Sequence, residues 1–208
     1  MFDARIRPII DPPFNAVAKV FAKFRVGANA ITLGGFGLGM MACGAIAFQE
    51  YTAALILIVL NRVADGLDGA VARRTGSTDV GGYLDIVLDM IFYSGVPFAF
   101  AVSRPEFALP AGFLIYSFVG TGGSFLAYAT IAAKRGLQTE SRGKKAFYYA
   151  AGLMEGAETI VFFILFCLLP DHFPVLAWVF GGLCWLTTTA RIIAGVIAFR
   201  EPHSGPSS

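Results

Sequence analysis

Three long stretches of the chain carry no charge. Arg25 and Glu50 enclose 24 uncharged residues, Glu106 and Lys134 enclose 27, and Asp171 and Arg191 enclose 19. A bilayer core takes about 20 residues of helix, and only helices and closed barrels satisfy their own backbone polar groups there. Three further apolar stretches, 51–74, 80–103 and 146–170, have similar length but are interrupted by charged side chains. The pattern predicts an all-α integral membrane protein with six transmembrane helices joined by short loops. Composition agrees, with 56% hydrophobic and 14% charged residues against roughly 25% charged in an ordinary soluble domain. Intrinsic disorder is excluded, because it requires low hydrophobicity and high net charge. The three cysteines, Cys43, Cys167 and Cys184, lie in apolar runs without metal-ligand spacing, which excludes a secreted disulfide scaffold. A net charge of +2 gives no reason to expect a nucleic-acid partner.

Positive charge sets the expected orientation. Loops on one side carry Arg5, Arg7, Lys19, Lys23, Arg25, Arg73, Arg74, Lys134, Arg135, Arg142, Lys144, Lys145 and Arg200, and the other side carries only Arg104. That is 13 of the 16 basic residues against one, with Arg62 and Arg191 inside helices. Positive loops stay cytoplasmic, so both termini are expected there. The N-terminus lacks the layout of a signal peptide. Residues 13–25 instead place Phe14, Val17, Val20 and Phe21 on one face, with Lys19 and Lys23 elsewhere, which predicts an amphipathic helix lying in the membrane interface. The expected organisation is a cytoplasmic N-terminal segment (1–28), a six-helix membrane domain (29–200) and a disordered polar tail (201–208). No internal repeat supports an inverted-repeat transporter.

Acids inside apolar segments are the informative feature. Asp65, Asp68, Asp85 and Asp89 fall within the second and third hydrophobic stretches. Each costs roughly 2.5–3.5 kcal/mol at a bilayer centre on insertion scales, and a structural role alone, by pairing with Arg62, Arg73 or Arg191 or by exposure at the interface, does not account for four. On a helix, Asp65 and Asp68 lie about 60° apart and Asp85 and Asp89 about 40°, so each pair shares a face. The short connection 74–79 makes the two helices antiparallel neighbours and sets both pairs at matching depth. Crowded carboxylates repel unless cations neutralise them, and oxygen-only ligation favours Mg²⁺, Mn²⁺ or Ca²⁺ over zinc. Gly69 and Ala72 leave the same face flat, and Arg73 closes the row with a fork suited to phosphate. Metal plus an Arg clamp describes phosphoryl-group transfer.

The segments Asp65-Gly-Leu-Asp68-Gly69-Ala-Val-Ala72-Arg73 and Gly81-Gly-Tyr-Leu-Asp85-Ile-Val-Leu-Asp89 resemble the signature of the CDP-alcohol phosphotransferases (phosphatidyltransferases). Residues 74–80 make the gap between them seven residues, one shorter than the usual form. The resemblance implies a six-helix core, an Mg²⁺ or Mn²⁺ cofactor, a CDP-linked lipid donor and a small alcohol acceptor. It further implies that Asp65, Asp68 and Asp85 ligate metal, and that Asp89 completes the site and acts as general base. Gly69, Ala72 and Arg73 would receive the CDP moiety, and Gly81 would permit close packing at the start of the third helix. Asn29 and Thr32 resemble a weaker element of the family near the nucleotide, or equally cap the first helix.

The acceptor is less legible. Glu155 and Glu158, with Arg191 opposite, form either a structural ion group or an acceptor pocket for a hydroxyl-rich or cationic head group. Arg135 and the basic loop after it either follow the positive-inside bias or attract an anionic acceptor. The spacings Gly35–Gly39 and Gly152–Gly156 serve either a homodimer or tight packing within one chain. The expected activity is phosphatidyl transfer from CDP-diacylglycerol to a small alcohol, for phospholipid synthesis at the cell inner membrane. A CDP-amino alcohol enzyme using diacylglycerol is the second reading. A divalent-cation transporter is the third, and Ala72 and Arg73 argue against it, since a cation path gains nothing from an Arg at its mouth.

Overall fold

The structure is a computed structural model, and it describes residues 14–21, 23–24, 26–136 and 156–200. The first 13 residues, the basic loop with Arg142, Lys144 and Lys145, Glu155 and the polar tail lie outside the described residues. Seven α-helices and no strand occur among those described. They are α1 (residues 14–21), α2 (Ala28–Ala47), α3 (Tyr51–Thr75), α4 (Asp79–Ser103), α5 (Ala108–Lys134), α6 (Gly156–Leu168) and α7 (Phe173–Phe199). Single 3₁₀ turns, Pro105–Phe107 and Pro170–His172, lead into α5 and α7.

The six expected spans emerge only in part. Four segments are long and apolar enough to cross a membrane: Ala28–Ala47, Asp79–Ser103, Pro105–Lys134 and Pro170–Phe199. Helix α3 has 25 residues, ample length for a span, but Arg62, Asp65, Asp68, Arg73 and Arg74 dilute its apolarity. Helix α6 is described over only 13 residues, because the expected start of the fifth span lies outside the described part.

Local chemistry fixes the α3–α4 turn that carries the acids. Gly76 ends α3 with φ +98°, a left-handed geometry that glycine adopts without a Cβ clash. Thr78 caps α4, its side chain accepting from the Gly81 amide at 3.1 Å, and Asp79 stands in the first turn where the helix dipole favours an acid. The two helices are therefore joined by a three-residue link, residues 76–78. Helix α2 packs against both, α5 packs against α4 and α7, and α6 packs against α3. At the far end from the acids, rings fill the interior. Phe100 stacks on Phe173 and Phe162 on Phe180, each at 4.3 Å between centroids. There Arg104 pairs with Asp171 at 2.6 Å.

Glycines of α2 are used inside the chain. A Cβ at Gly35 would lie 2.9 Å from that of Ala64, and one at Gly39 would lie 2.8 Å from the Phe92 ring. The first GxxxG spacing thus brings α2 against α3 and α4 within one chain; Gly152 of the second lies outside the described residues. Helix α1 also departs from expectation. Phe14 and Phe21 pack inward with Ala18 against Leu67, Ala70 and Val71, while Val17 and Val20 face outward at 44% and 52% exposure. The apolar positions divide between two sides because 14, 18 and 21 follow one helical stripe and 17 and 20 the next.

Candidate active site

Three of the four acids converge. Carboxylate oxygens of Asp65, Asp68 and Asp85 lie within 4.8 Å of one another, with Asp68 buried, Asp65 half-buried and Asp85 exposed. Thr32 on α2 donates to Asp68 Oδ2 at 2.6 Å. Asp89 is held apart from this group. Arg62 Nη2 donates to its Oδ1 at 2.9 Å, and the Tyr93 hydroxyl donates to its Oδ2 at 3.1 Å. Arg62 also reaches Asp65 Oδ2 at 3.4 Å. The donor set of the converging acids is all oxygen, so it fits a hard divalent cation.

Two cavities meet at these residues. A small, partly open one, about 20 Å³, is lined by the four aspartates, Thr32, Asn61 and Arg62 together with apolar residues such as Phe36 and Phe92. A water needs roughly 10–15 Å³ of such space, so this cavity suits an ion or a water and not a substrate. The larger, about 450 Å³, opens between the start of α2, the last turns of α3 and the start of α4, a volume within the range of small-molecule sites. Asn29, Gly69, Ala72 and Gly81 line it, and Thr32, Asp68 and Asp85 border both spaces. A Cβ at Gly81 would lie 2.9 Å from Asn29 Oδ1 and 3.1 Å from Thr78 Oγ1, so a larger residue there would displace the Asn29 side chain. Arg73 is exposed and folds its Nη1 back to 3.4 Å from where a Gly69 Cβ would stand.

Of the two readings of Asn29 and Thr32, capping is not seen. Gly27 is the N-cap of α2, with no side-chain cap bond, and both side chains instead meet α3 or α4. The residues read as an acceptor group are less concentrated. Arg191 is buried and donates to Thr121 O at 2.8 Å and Ser124 Oγ at 3.1 Å, its guanidinium 5.6 Å over the Phe125 ring. Glu158 is half-buried in the first turn of α6, and Glu155 lies outside the described residues. Arg135 donates to Phe199 O at 2.9 Å, joining the ends of α5 and α7. Sequence reasoning weighed Arg62 only as an ion-pair partner of the acids and left Tyr93 and Asn61 out of the site. The signal was present, since Arg62 precedes Asp65 by three residues and Tyr93 follows Asp89 by four, both neighbour spacings on a helix.

The matching acids, the flat Gly69–Ala72 surface and the arginine agree with the family relationship. Residues 25–190 match the CDP-alcohol phosphatidyltransferase model, and the chain belongs to that family. It is a membrane transferase of phospholipid synthesis. Its relatives span bacteria and archaea. Over 97% of its length it is 46% identical to "Inner membrane protein YnjF" of Escherichia coli (strain K12), 98% of which is covered. It is 30% identical to an archaetidylinositol phosphate synthase of Pyrococcus horikoshii over 48% of this chain and 53% of that one. Among solved structures, the Mycobacterium tuberculosis phosphatidylinositol phosphate synthase (PgsA1) with CDP-DAG bound shares the fold. The TM-score is 0.65 over 88% of this chain and 93% of that one, at 18% identity.

Proposed function

We propose that the protein transfers a phosphatidyl group from CDP-diacylglycerol to a small water-soluble alcohol, releasing CMP. The observation that carries this reading is the meeting of three carboxylates with a cavity of about 450 Å³ lined by Asn29, Gly69 and Ala72. Asp65, Asp68 and Asp85 would hold Mg²⁺ or Mn²⁺. A cation there supplies charge neutralisation for the diphosphate and for the leaving CMP.

The chain's own groups do the rest. Gly69 and Ala72 let the nucleotide lie against α3, and Arg73 grips the diphosphate. Asp89 takes the proton of the acceptor hydroxyl as its oxygen bonds to the β-phosphorus. The anhydride bond to the α-phosphate breaks, and CMP leaves with that bridging oxygen. Each Asp89 oxygen keeps a second lone pair beyond those engaged by Arg62 and Tyr93, so it can still accept the proton.

An inner-membrane location, with the site on the cytoplasmic side, is supported by the loop charges and by the name of the E. coli relative. Val17 and Val20 on the outer side of α1, with the exposed Phe24 beyond its end, would meet the lipid interface there. Two relatives are named as synthases of inositol-phosphate lipids, which supports a polyhydroxylated, phosphate-bearing acceptor. Glu158, Arg191 and Arg135, with Glu155, are the residues proposed to select it. The test is a panel of donors and acceptors on purified protein, with CMP measured and the lipid product weighed by mass spectrometry. A product built from CDP-diacylglycerol and a water-soluble alcohol supports the reading. Product only from a CDP-amino alcohol and diacylglycerol replaces it with the second one.

A further inference from the structure

Helix α1 has no part in the chemistry proposed above, yet it backs one wall of the larger cavity. Phe14 fills a slot at Gly66 of α3, where a Cβ would stand 2.9 Å from the ring. Ala18 is fully buried in one cluster with Leu67, Ala70 and Val71 of α3 and Ile31 of α2, and Phe21 packs against that cluster. On α3 these residues alternate with those of the cavity. Gly69, Ala72 and Thr75 line the cavity, whereas Ala70 and Val71 are wholly buried on the α1 side. At 3.6 residues per turn the two sets lie on opposite sides of the helix. The last turns of α3 are therefore a wall one helix thick, with the cavity on one side and α1 on the other.

The other side of α1 faces away from the protein. Val17, Val20 and Phe24 follow the stripe next to Phe14, Ala18 and Phe21, and all three are exposed. Phe24 keeps the helical bond, its amide donating to Val20 O at 3.1 Å. Lys19 and Lys23 project beyond this stripe and are exposed as well. An apolar stripe edged by lysines is complementary to a membrane surface that carries negative charge, because the apolar side chains enter between head groups and the ammonium groups pair with them. The Val26 amide donates to Phe21 O at 3.0 Å, which ties the end of α1 to the start of α2 and keeps it at the bilayer. A helix this short has little stability alone, so its seat on α3 depends on what its outer side meets. We propose that α1 is a sensor of anionic lipid: Lys19, Lys23 and the outer stripe bind an anionic bilayer surface, and Phe14 in the slot at Gly66 passes that binding to the cavity wall. With α1 seated, the wall is held and the CDP-linked donor binds well; with α1 loose, Phe14 leaves the slot and donor binding weakens. The proposal rests on the phosphotransfer reading for its kinetic consequence, but its consequence for α3 stands without it.

The experiment places the full-length protein in nanodiscs of phosphatidylcholine, alone or with a third of the lipid replaced by phosphatidylserine or by phosphatidylglycerol. The donor is held at one mole fraction, and two anionic lipids separate surface charge from the effect of a single head group. Amide hydrogen exchange over residues 64–72 reads the wall, and CMP release reads the donor KM. In wild type both anionic lipids should slow that exchange and lower the donor KM about 5- to 10-fold, the lower part of the range for coupled binding events, with kcat less affected. The double substitution Lys19→Gln, Lys23→Gln should keep the wild-type values in phosphatidylcholine and lose the response. Phe14→Ala should lose it too, because α1 keeps its lysines but no longer fills the slot. Phe14→Leu, which leaves the slot partly empty, should weaken the response and serves if Phe14→Ala does not fold. An anionic surface also gathers divalent cations, but an effect from that source persists in every variant. A response absent from wild type, or kept at full size in any of these variants, overturns the proposal. Were no CDP-linked donor to yield CMP from wild type, the phosphotransfer reading would fail while the exchange of α3 still judged α1.

Discussion

At the scale of single residues, the four aspartates are alike in chemistry and unlike in surroundings. Asp68 is anchored by Thr32 at 2.6 Å and Asp89 by Arg62 and Tyr93, so equivalent substitutions should have different effects. General-base catalysis is typically worth 10²–10⁴-fold. Asp89→Asn keeps the shape but cannot take a proton at neutral pH, and turnover should fall by roughly that factor. Donor binding should survive, because Asp65, Asp68 and Asp85 remain; turnover within a few-fold of wild type would assign the base elsewhere. Arg73→Lys keeps the charge and loses the planar fork, so the KM for the CDP donor should rise markedly with kcat less affected. Unchanged donor kinetics would reduce Arg73 to an anchor at the helix end. The four acids, Gly69, Ala72 and Arg73 were legible because charges are costly in apolar helices and rarely occur there without a function. The seat of Arg62 between Asp65 and Asp89 was not, because its partners come from two helices. Only the seating of α3 and α4 together on α2 brings Arg62 to Asp89 as well as to Asp65.

At the scale of elements, the acid pairs converge because α3 and α4 both pack closely on α2, and glycines of α2 allow it. Gly39 is the strictest case. A Cβ there would meet the buried Phe92 ring at 2.8 Å, and that ring is packed edge-on against Phe163 and has little room to retreat. Overpacking of this kind costs about 1–3 kcal/mol, so Gly39→Ala should lower the thermal unfolding midpoint in detergent. Gly34→Ala, five residues earlier on the same helix, meets open space and should leave the midpoint unchanged or raise it. Equal effects of the two would mean that α2 does not pack as described. The spacing Gly35–Gly39 was visible in the sequence, but GxxxG does not say whether the surface it brings close belongs to the same chain. The α1 face was likewise predicted as one stripe over Phe14, Val17, Val20 and Phe21. The structure divides it because Ala18 and Gly66 open a place for Phe14 against α3, a complementarity between distant segments that helical periodicity does not encode.

At the scale of the whole molecule, the three charge-free stretches and the stretch 80–103 became the four helices apolar enough to cross a membrane, while the start of the span expected at 146–170 lies outside the described residues. Helix α3 falls short of that apolarity for the reason that makes it informative, since its polar residues are those of the site. The loop charges predict that the ends of α5 and α7 near Arg135 face the cytoplasm and that Arg104 faces the other side. A membrane-impermeant thiol reagent checks this, because Cys43, Cys167 and Cys184 are buried and give little background. In intact cells with the outer membrane permeabilised, Glu106→Cys should be labelled and Arg200→Cys should not. Labelling of Arg200→Cys alone would invert the topology and place the site on the wrong side for a nucleotide-linked donor.

The central claim, that this cluster of acids performs phosphatidyl transfer with a divalent cation, is tested most directly by CMP release from CDP-diacylglycerol by purified protein supplied with small-alcohol acceptors. The account predicts CMP formation with Mg²⁺ or Mn²⁺, its loss in excess chelator and its return when either ion is restored. It also predicts that Asp85→Asn, which removes an anionic ligand from the converging group, cannot be fully restored at ordinary metal concentrations. Full CMP release in excess chelator, or wild-type release from Asp85→Asn without added metal, would contradict it.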